Sequence, residues 1–590
     1  MKLFITLISL IWCLDASPVY AFQEGKEVSS ETTLHQLFKD EWVNREDFAE
    51  EDSDGIPSPL DHFPSVTPDY YSERLELNKG YLSQLKAINR EELTSDDKLN
   101  YDLFEFVVNN RILNAEFKTY RIPLLSDSGF HLSFLRAAES RSFKSQSDYE
   151  SYILFLSDMS RYFDENIANM KTGMATGFTM PGAIMKNIVP SIKAQIVRYP
   201  QESVYYRPFL KMSKNLNEGE KKTLRAAARD IIITHVVPSY KKFYDFFTGP
   251  YMDAARETIG ISQVPGGKEY YQYSVKYYTT IDTTPEEVHA LGLSEVKRIR
   301  GEMEDIIKEV GFKGTFKNFL TFLRTDPQFY VTTPEQLLKE ASWITKQIDG
   351  KLPAFFNKLP RLPYGVRAVP EDIAPNYTTG RYWGASKGDD HGGFFMVNTY
   401  ALDKRPLYNL ISLALHEGMP GHHLQNAIAQ ELRNVPNFRL NLYPHAFGEG
   451  WGLYSEKVGI EMGLYKTPYD HFGRLSYEMW RAGRLVVDTG MHYMGWTRDQ
   501  AVNLFTENSA LSIHNINTEV DRYISWPGQA LAYKMGELTF LRLRKKAQDA
   551  LGDGFDLKEF HDQAIGFGGL PMNILEKQID SWIRSKQMEG

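Results

Sequence analysis

Residues 416 to 423 read His-Glu-Gly-Met-Pro-Gly-His-His and follow an apolar run, Leu407 to Leu415. Two histidines four apart on a helix share one face and can hold a metal ion, and a glutamate between them can take a proton from an attacking water. Here the fourth position after His416 is Pro420, which carries no imidazole. Proline removes a donor and clashes with the carbonyl four back, about 3 kcal/mol in a regular helix, and Gly421 weakens it further. A break between Glu417 and His422 is therefore expected. If it absorbs two residues, His422 takes the ligand position; if three, His423 does. In an unbroken helix His423 would share the face of His416 but lie about 10 Å along the axis, too far for one ion.

A two-histidine site needs a third ligand, and Glu449-Gly-Trp-Gly-Leu-Tyr-Ser-Glu456 supplies a carboxylate. Glu449 and Glu456 are seven apart, on one helix face. Glu449 is the expected ligand. Glu456 is placed to hydrogen-bond the outer nitrogen of a ligand histidine, a role open also to His423. His416, His422 and Glu449 with Glu417 as general base form the candidate centre, with His423 as the alternative ligand. Zinc is the expected ion, because the sole cysteine, Cys13, lies in the leader and leaves only His and carboxylate donors.

A third constellation is Glu519-Val-Asp-Arg-Tyr-Ile-Ser-Trp-Pro-Gly-Gln-Ala-Leu-Ala-Tyr-Lys534. Hydrolysis of an amide needs a donor for the developing oxyanion. Tyr533 and Tyr523 are the candidates for that, and Arg522 and Gln529 for substrate contacts. Asn398, ending a short strand, and His391, in a long loop after Asp389-Asp390, are further substrate-contact candidates. Arg481 and Arg484 read as partners of Asp488 or the glutamates, with a grip on a peptide carboxylate as the alternative.

These side chains need a large scaffold. The chain has 590 residues, 42% hydrophobic and 24% charged, ordinary for a folded soluble protein. A net charge of −9 argues against nucleic acid and anionic membranes as partners. Lys2, the apolar run Leu3 to Leu14, and Val19 and Ala21 read as a signal peptide cleaved after Ala21. Lipoprotein processing at Cys13 is disfavoured by the bulky Trp12 before it. The run is too short to span a bilayer, and no later segment is apolar enough. Export to the periplasm or beyond is therefore expected.

Residues 22–66 read as a short helix, Thr32 to Asn44, and an acidic connector. Residues 67–590 read as one helical unit with an N-terminal half to about 282 and a catalytic half from 283. Thr94 with Asp97, and Thr284-Pro285-Glu286-Glu287, are helix starts. Residues 352 to 393, rich in Pro, Gly and Tyr, read as a long ordered loop, Gly392 to Asn398 as a strand, and 406 onward as almost wholly helical.

Taken together, the blocks His416–Gln425, Glu449–Glu456, Arg474–Arg481 through Gly490, and Tyr523–Lys534 resemble the bacterial family catalogued as domain of unknown function 885, over roughly residues 30 to 585. That family is grouped with zincin-like metallopeptidases and is similar to helical oligopeptidases and carboxypeptidases of the gluzincin type. The resemblance implies a mainly helical shell around a deep cleft, with a small mixed sheet before the motif helix whose edge strand, at Gly393 to Tyr400, aligns a peptide. It implies Glu449 as the third ligand, and Tyr533, in a Tyr-x-x-x-Glu context ending at Glu537, as the catalytic tyrosine. The expected activity is zinc-dependent hydrolysis of short peptides, as a carboxypeptidase or dipeptidyl carboxypeptidase. The alternatives are a metal-dependent amidase on a non-peptide or cell-wall amide, and a catalytically silent peptide-binding protein. Set beside the downstream motifs, His422 is favoured over His423.

Overall fold

Side chains at the helix starts set the boundaries of most of the architecture. In a computed structural model, which describes residues 29–45 and 61–589 apart from 136, 139–140, 372, 386–390 and 441, Thr284 opens the helix Pro285–Glu309. Its hydroxyl accepts from the Glu287 N–H, and the Glu287 carboxylate accepts from the Thr284 N–H. Each bond satisfies a donor that the first helical turn leaves unpaired. The same reciprocal cap opens Pro468–His492 through Thr467 and Asp470. Thr94 caps Ser95–Glu116 at the Asp97 N–H. The N-terminal helix covers Ser30–Val43. Residues 1–21, expected to form a leader and containing Cys13, the acidic run at 50–55, and Asp389 and Asp390 lie outside the described residues.

The chain is mainly helical, with one small mixed sheet before the motif helix. Its largest core cluster draws on both halves, from Leu34 and Phe104 through Leu415 and Trp451 to Ile583. Among the described residues no helix is long and apolar enough to cross a membrane. Helices His445–Glu461 and Ala532–Leu551 cross in backbone contact. A Cβ on Gly450 would lie 2.4 Å from the Gly536 Cα, and one on Gly536 would lie 2.0 Å from the Ala446 carbonyl oxygen. Only glycine at both positions permits that approach, which brings the helix carrying Glu449 against the helix carrying Tyr533.

The sheet corrects two expectations. The stretch 352 to 393 is not wholly loop, for it contains strands β1, Tyr364–Ala368, and β2, Gly380–Trp383. At four or five residues each, among prolines and glycines, they are too short to show alternation. Strand β3, Gly393–Val397, lies where a strand was expected, but it is central: the order is β1-β3-β2, with β1 parallel and β2 antiparallel to β3. The strand that faces the motif helix from the edge of the sheet is β2, not β3.

Candidate metal centre and the cleft around it

The buried motif helix Leu410–Glu417 ends at Gly418 (φ −92°, ψ −133°), and a second helix begins at His422. Four residues, Gly418 to Gly421, make the break, with a cis Met419–Pro420 peptide. Its carbonyl at Pro420 accepts a 2.7 Å hydrogen bond from the indole of Trp451, a fully buried residue of the glutamate helix His445–Glu461. The break therefore absorbs two residues and is tied to the helix that carries Glu449.

The outcome is a convergent triad. His416 Nε2 and His422 Nε2 each lie 3.5 Å from Glu449 Oε2. The ligand atoms of these three residues lie within 4.8 Å of one another. A tetrahedral zinc with bonds of about 2.0–2.1 Å sets its ligand atoms about 3.4 Å apart, so the triad has the spacing and the donor chemistry of such a site. Beneath it, Glu456 Oε1 lies 2.9 Å from His416 Nδ1 and 3.4 Å from an Arg481 guanidinium nitrogen. That bond turns Nε2 of His416 toward Glu449. Burial pulls the His416 pKa down, but the bonds to Glu449 and Glu456 outweigh it and raise it to about 9. Burial pushes the Glu449 carboxyl up, and the two histidines outweigh it, holding it well below the usual carboxylate range.

One glycine makes room for the imidazole. A Cβ on Gly452 would lie 2.7, 2.8 and 2.9 Å from three ring atoms of His416, so the ring rests directly on the helix backbone one turn from Glu449.

Glu417 is also buried, and its Oε2 accepts a 2.7 Å hydrogen bond from the Tyr382 N–H of β2. Its Oε1 makes no hydrogen bond among the described residues. His423 turns away from the triad. Its Nε2 donates to the Leu362 carbonyl (3.0 Å), its Nδ1 lies 3.1 Å from the Tyr382 hydroxyl, and burial lowers its pKa to about 4. With both nitrogens engaged in the cleft wall, it is neither a ligand nor a support for one.

Tyr533, at the start of Ala532–Leu551, is buried with the Arg484 guanidinium 4.0 Å from its ring centroid. The charge of Arg522 interacts with its hydroxyl. Lys534, the next residue, has no exposed side chain and binds Glu537 (2.6 Å), Glu478 (2.8 Å) and Glu295 (3.1 Å). This ion cluster ties three long helices together and fixes where Tyr533 stands. Glu537 is thus a structural partner of Lys534.

The other expected contacts are placed differently. The Tyr523 hydroxyl is buried and donates to Glu519 (2.8 Å) while accepting from Trp480 and Arg484 (2.8 Å each), so it has no proton left for a substrate. Arg522 also binds Gln529 (2.7 Å), which commits that amide to positioning the guanidinium. Asn398 is fully buried. Its amide holds the carbonyls of Ala374, Tyr377 and Thr378, and its oxygen accepts from the Tyr400 N–H, so it shapes the loop before β2. His391 is exposed and bonds the neighbouring Gly392 carbonyl.

Two cleft residues carry no sequence motif. The charge of Arg381, on β2, interacts with Tyr533, Glu417 and Arg522, and the residue forms no ion pair among the described residues. Tyr443 is 41% exposed, yet its hydroxyl interacts with Glu449, Tyr533, Glu417 and Arg381. Burial and the charge of Glu449 push its pKa well up.

With this geometry in view, comparisons place the chain. The structure matches a crystal structure described as that of the "putative lipoprotein from Colwellia psychrerythraea" with a TM-score of 0.85 and 25% identity, over 95% of this chain and 100% of that one. A second, described as a "putative lipoprotein of unknown function from Shewanella oneidensis", matches with a TM-score of 0.70 and 17% identity, over 93% and 99% of the two chains, and shares the fold. No match was found among curated proteins. Residues 51–579 match the family described as "Bacterial protein of unknown function (DUF885)", and the chain belongs to that family.

Proposed function

We propose that this protein is a zinc-dependent peptidase acting on short peptides. The observation that carries the reading is that His416 Nε2 and His422 Nε2 each stand 3.5 Å from Glu449 Oε2, with all three ligand atoms within 4.8 Å of one another, beside Glu417. Two imidazoles and one carboxylate would hold the ion and leave a position open. When bound, zinc supplies Lewis acidity, which polarises a carbonyl and acidifies a water. The remaining work falls to side chains. Glu417, with one oxygen fixed by the Tyr382 N–H, takes a proton from the attacking water at its other oxygen and passes it to the leaving amine. Tyr533, whose hydroxyl interacts with the Arg522 charge, offers its proton to the oxyanion.

The edge of β2 runs past Glu417, where an extended peptide can add as a further strand. Arg381, which forms no ion pair among the described residues, receives a terminal carboxylate, which supports trimming from the C-terminal end. The leader at residues 1–21 points to export, in keeping with structural neighbours described as putative lipoproteins.

The test is digestion of a broad peptide library with mass-spectrometric readout, with and without chelator. Cleavage that chelator abolishes and zinc restores is expected. Glu417→Gln should keep the metal and lose at least 100-fold in turnover. Cleavage by that variant at the wild-type rate would sink the mechanism, and no cleavage by zinc-loaded wild type would sink the activity.

A further inference from the structure

A cavity of about 380 Å³, within the range of small-molecule sites, lies against the motif helix. Its walls include Leu413 from the motif helix and the rings of Tyr408, Tyr477 and Trp480. Two guanidinium groups, Arg324 and Arg405, also line it. Neither forms an ion pair with a carboxylate among the described residues. Arg324 spends its hydrogen bonds on the backbone carbonyls of Ser509 (2.6 Å) and Ala510 (3.3 Å). Arg405 has one long bond, 3.4 Å, to the Thr379 hydroxyl, and its buried Nε has no partner. The nearby acid, Asp403, is largely exposed and bound to Lys404 at 2.6 Å. Burial lowers the pKa of both arginines, the sign of cations held partly out of water without compensation.

A half-buried, unpaired guanidinium in an aromatic-walled cavity is costly unless something anionic enters. The planar fork matches a carboxylate, and the tyrosine, tryptophan and leucine walls match an apolar body. We propose that this cavity binds a small carboxylic acid with an aromatic or branched apolar body, its carboxylate held by Arg405 with Arg324 as the second cation. None of His416, Glu417, His422 and Glu449 lines the cavity, and the proposal does not depend on the hydrolytic reading.

The experiment is calorimetric titration of the mature protein with 3-phenylpropionate and with its neutral amide. The acid should bind at least 10-fold more tightly than the amide. Arg405→Met should remove that preference while leaving amide binding in place, and His422→Ala, which breaks the metal centre, should leave acid binding unchanged. Equal affinities for acid and amide would overturn the proposal, as would an undiminished preference in Arg405→Met. Loss of acid binding in His422→Ala would place the acid on the metal centre and overturn the separate site. If Arg405→Met does not fold, the acid–amide comparison on His422→Ala, where the metal centre cannot supply the preference, decides: equal affinities there would overturn the proposal.

Discussion

Replacing Gly452 by alanine adds a single methyl group at the point where the candidate centre has least room. The new Cβ would sit 2.7, 2.8 and 2.9 Å from Cε1, Nε2 and Nδ1 of His416, where ordinary contact begins at 3.4 Å. The ring must therefore retreat by roughly 0.5–0.7 Å, about the tolerance of a functional constellation. It cannot retreat freely, because Glu456 holds Nδ1 at 2.9 Å. Alanine gains about 1 kcal/mol of helix propensity, and overpacking costs about 1–3 kcal/mol. The fold should thus lose no more than about 2 kcal/mol. Metal affinity should fall by about 10- to 100-fold, the usual effect of disturbing the support of a ligand. The assay is competitive zinc titration against a chelating dye, with thermal unfolding as the control for folding. A Gly452→Ala protein that binds zinc like wild type would refute the placement of His416 as a ligand seated on the glutamate helix.

Two further outcomes follow from buried charge. Lys534→Met strands Glu537 and removes one of the cations from Glu478, so denaturant unfolding should show a loss of about 3–5 kcal/mol, with much of it regained in Lys534→Met/Glu537→Leu; a loss below about 1 kcal/mol would contradict the role given to the cluster. The protein should also be acid-labile. Burial holds His131 and His492 near pKa 3 and His561 near 4. A histidine whose folded pKa is depressed contributes stability above its unfolded value near 6.5, and that stability is lost as pH falls toward the folded pKa. At pH 5 each costs about 2 kcal/mol, about 6 in all. In the metal-free protein His416 offsets part of this, since its pKa is raised and its contribution lies on the acid side. Urea unfolding at pH 7.5, 6 and 5 should show the decline, and a flat profile would contradict it.

Much of this was legible from residue types and spacing. Thr284, Pro285 and Glu287 announce a helix start because the cap is local, made by side chains three residues apart. Glu449 and Glu456 were legible for the same reason, since helix periodicity puts them on one face. The choice of His422 over His423 rested on how many residues the Pro-Gly break absorbs. That number depends on Trp451 reaching the Pro420 carbonyl, a contact between segments 31 residues apart. Long-range partners also explain the misreadings. Tyr523 and Tyr533 look alike in sequence, and only the neighbours Glu519, Trp480 and Arg484 show that the Tyr523 hydroxyl is consumed. Asn398 ends the expected strand, but three loop carbonyls claim its amide. Strand β2 and Arg381 left no signal because four residues beside glycines and prolines show no period. The one available hint at Gly452 was the Gly-x-Gly spacing around Trp451, which is unusual inside a helix and marks close approach.

The central claim is that the interrupted motif completes a metal site through His422. Zinc titration of the purified mature protein in a metal-buffered solution, run side by side on wild type, His422→Ala and His423→Ala, tests it most directly. The account predicts one zinc per chain for wild type, an affinity lower by at least 100-fold for His422→Ala, and near wild-type binding for His423→Ala. Absence of stoichiometric zinc on the wild type, or loss of binding in His423→Ala with retention in His422→Ala, would contradict it.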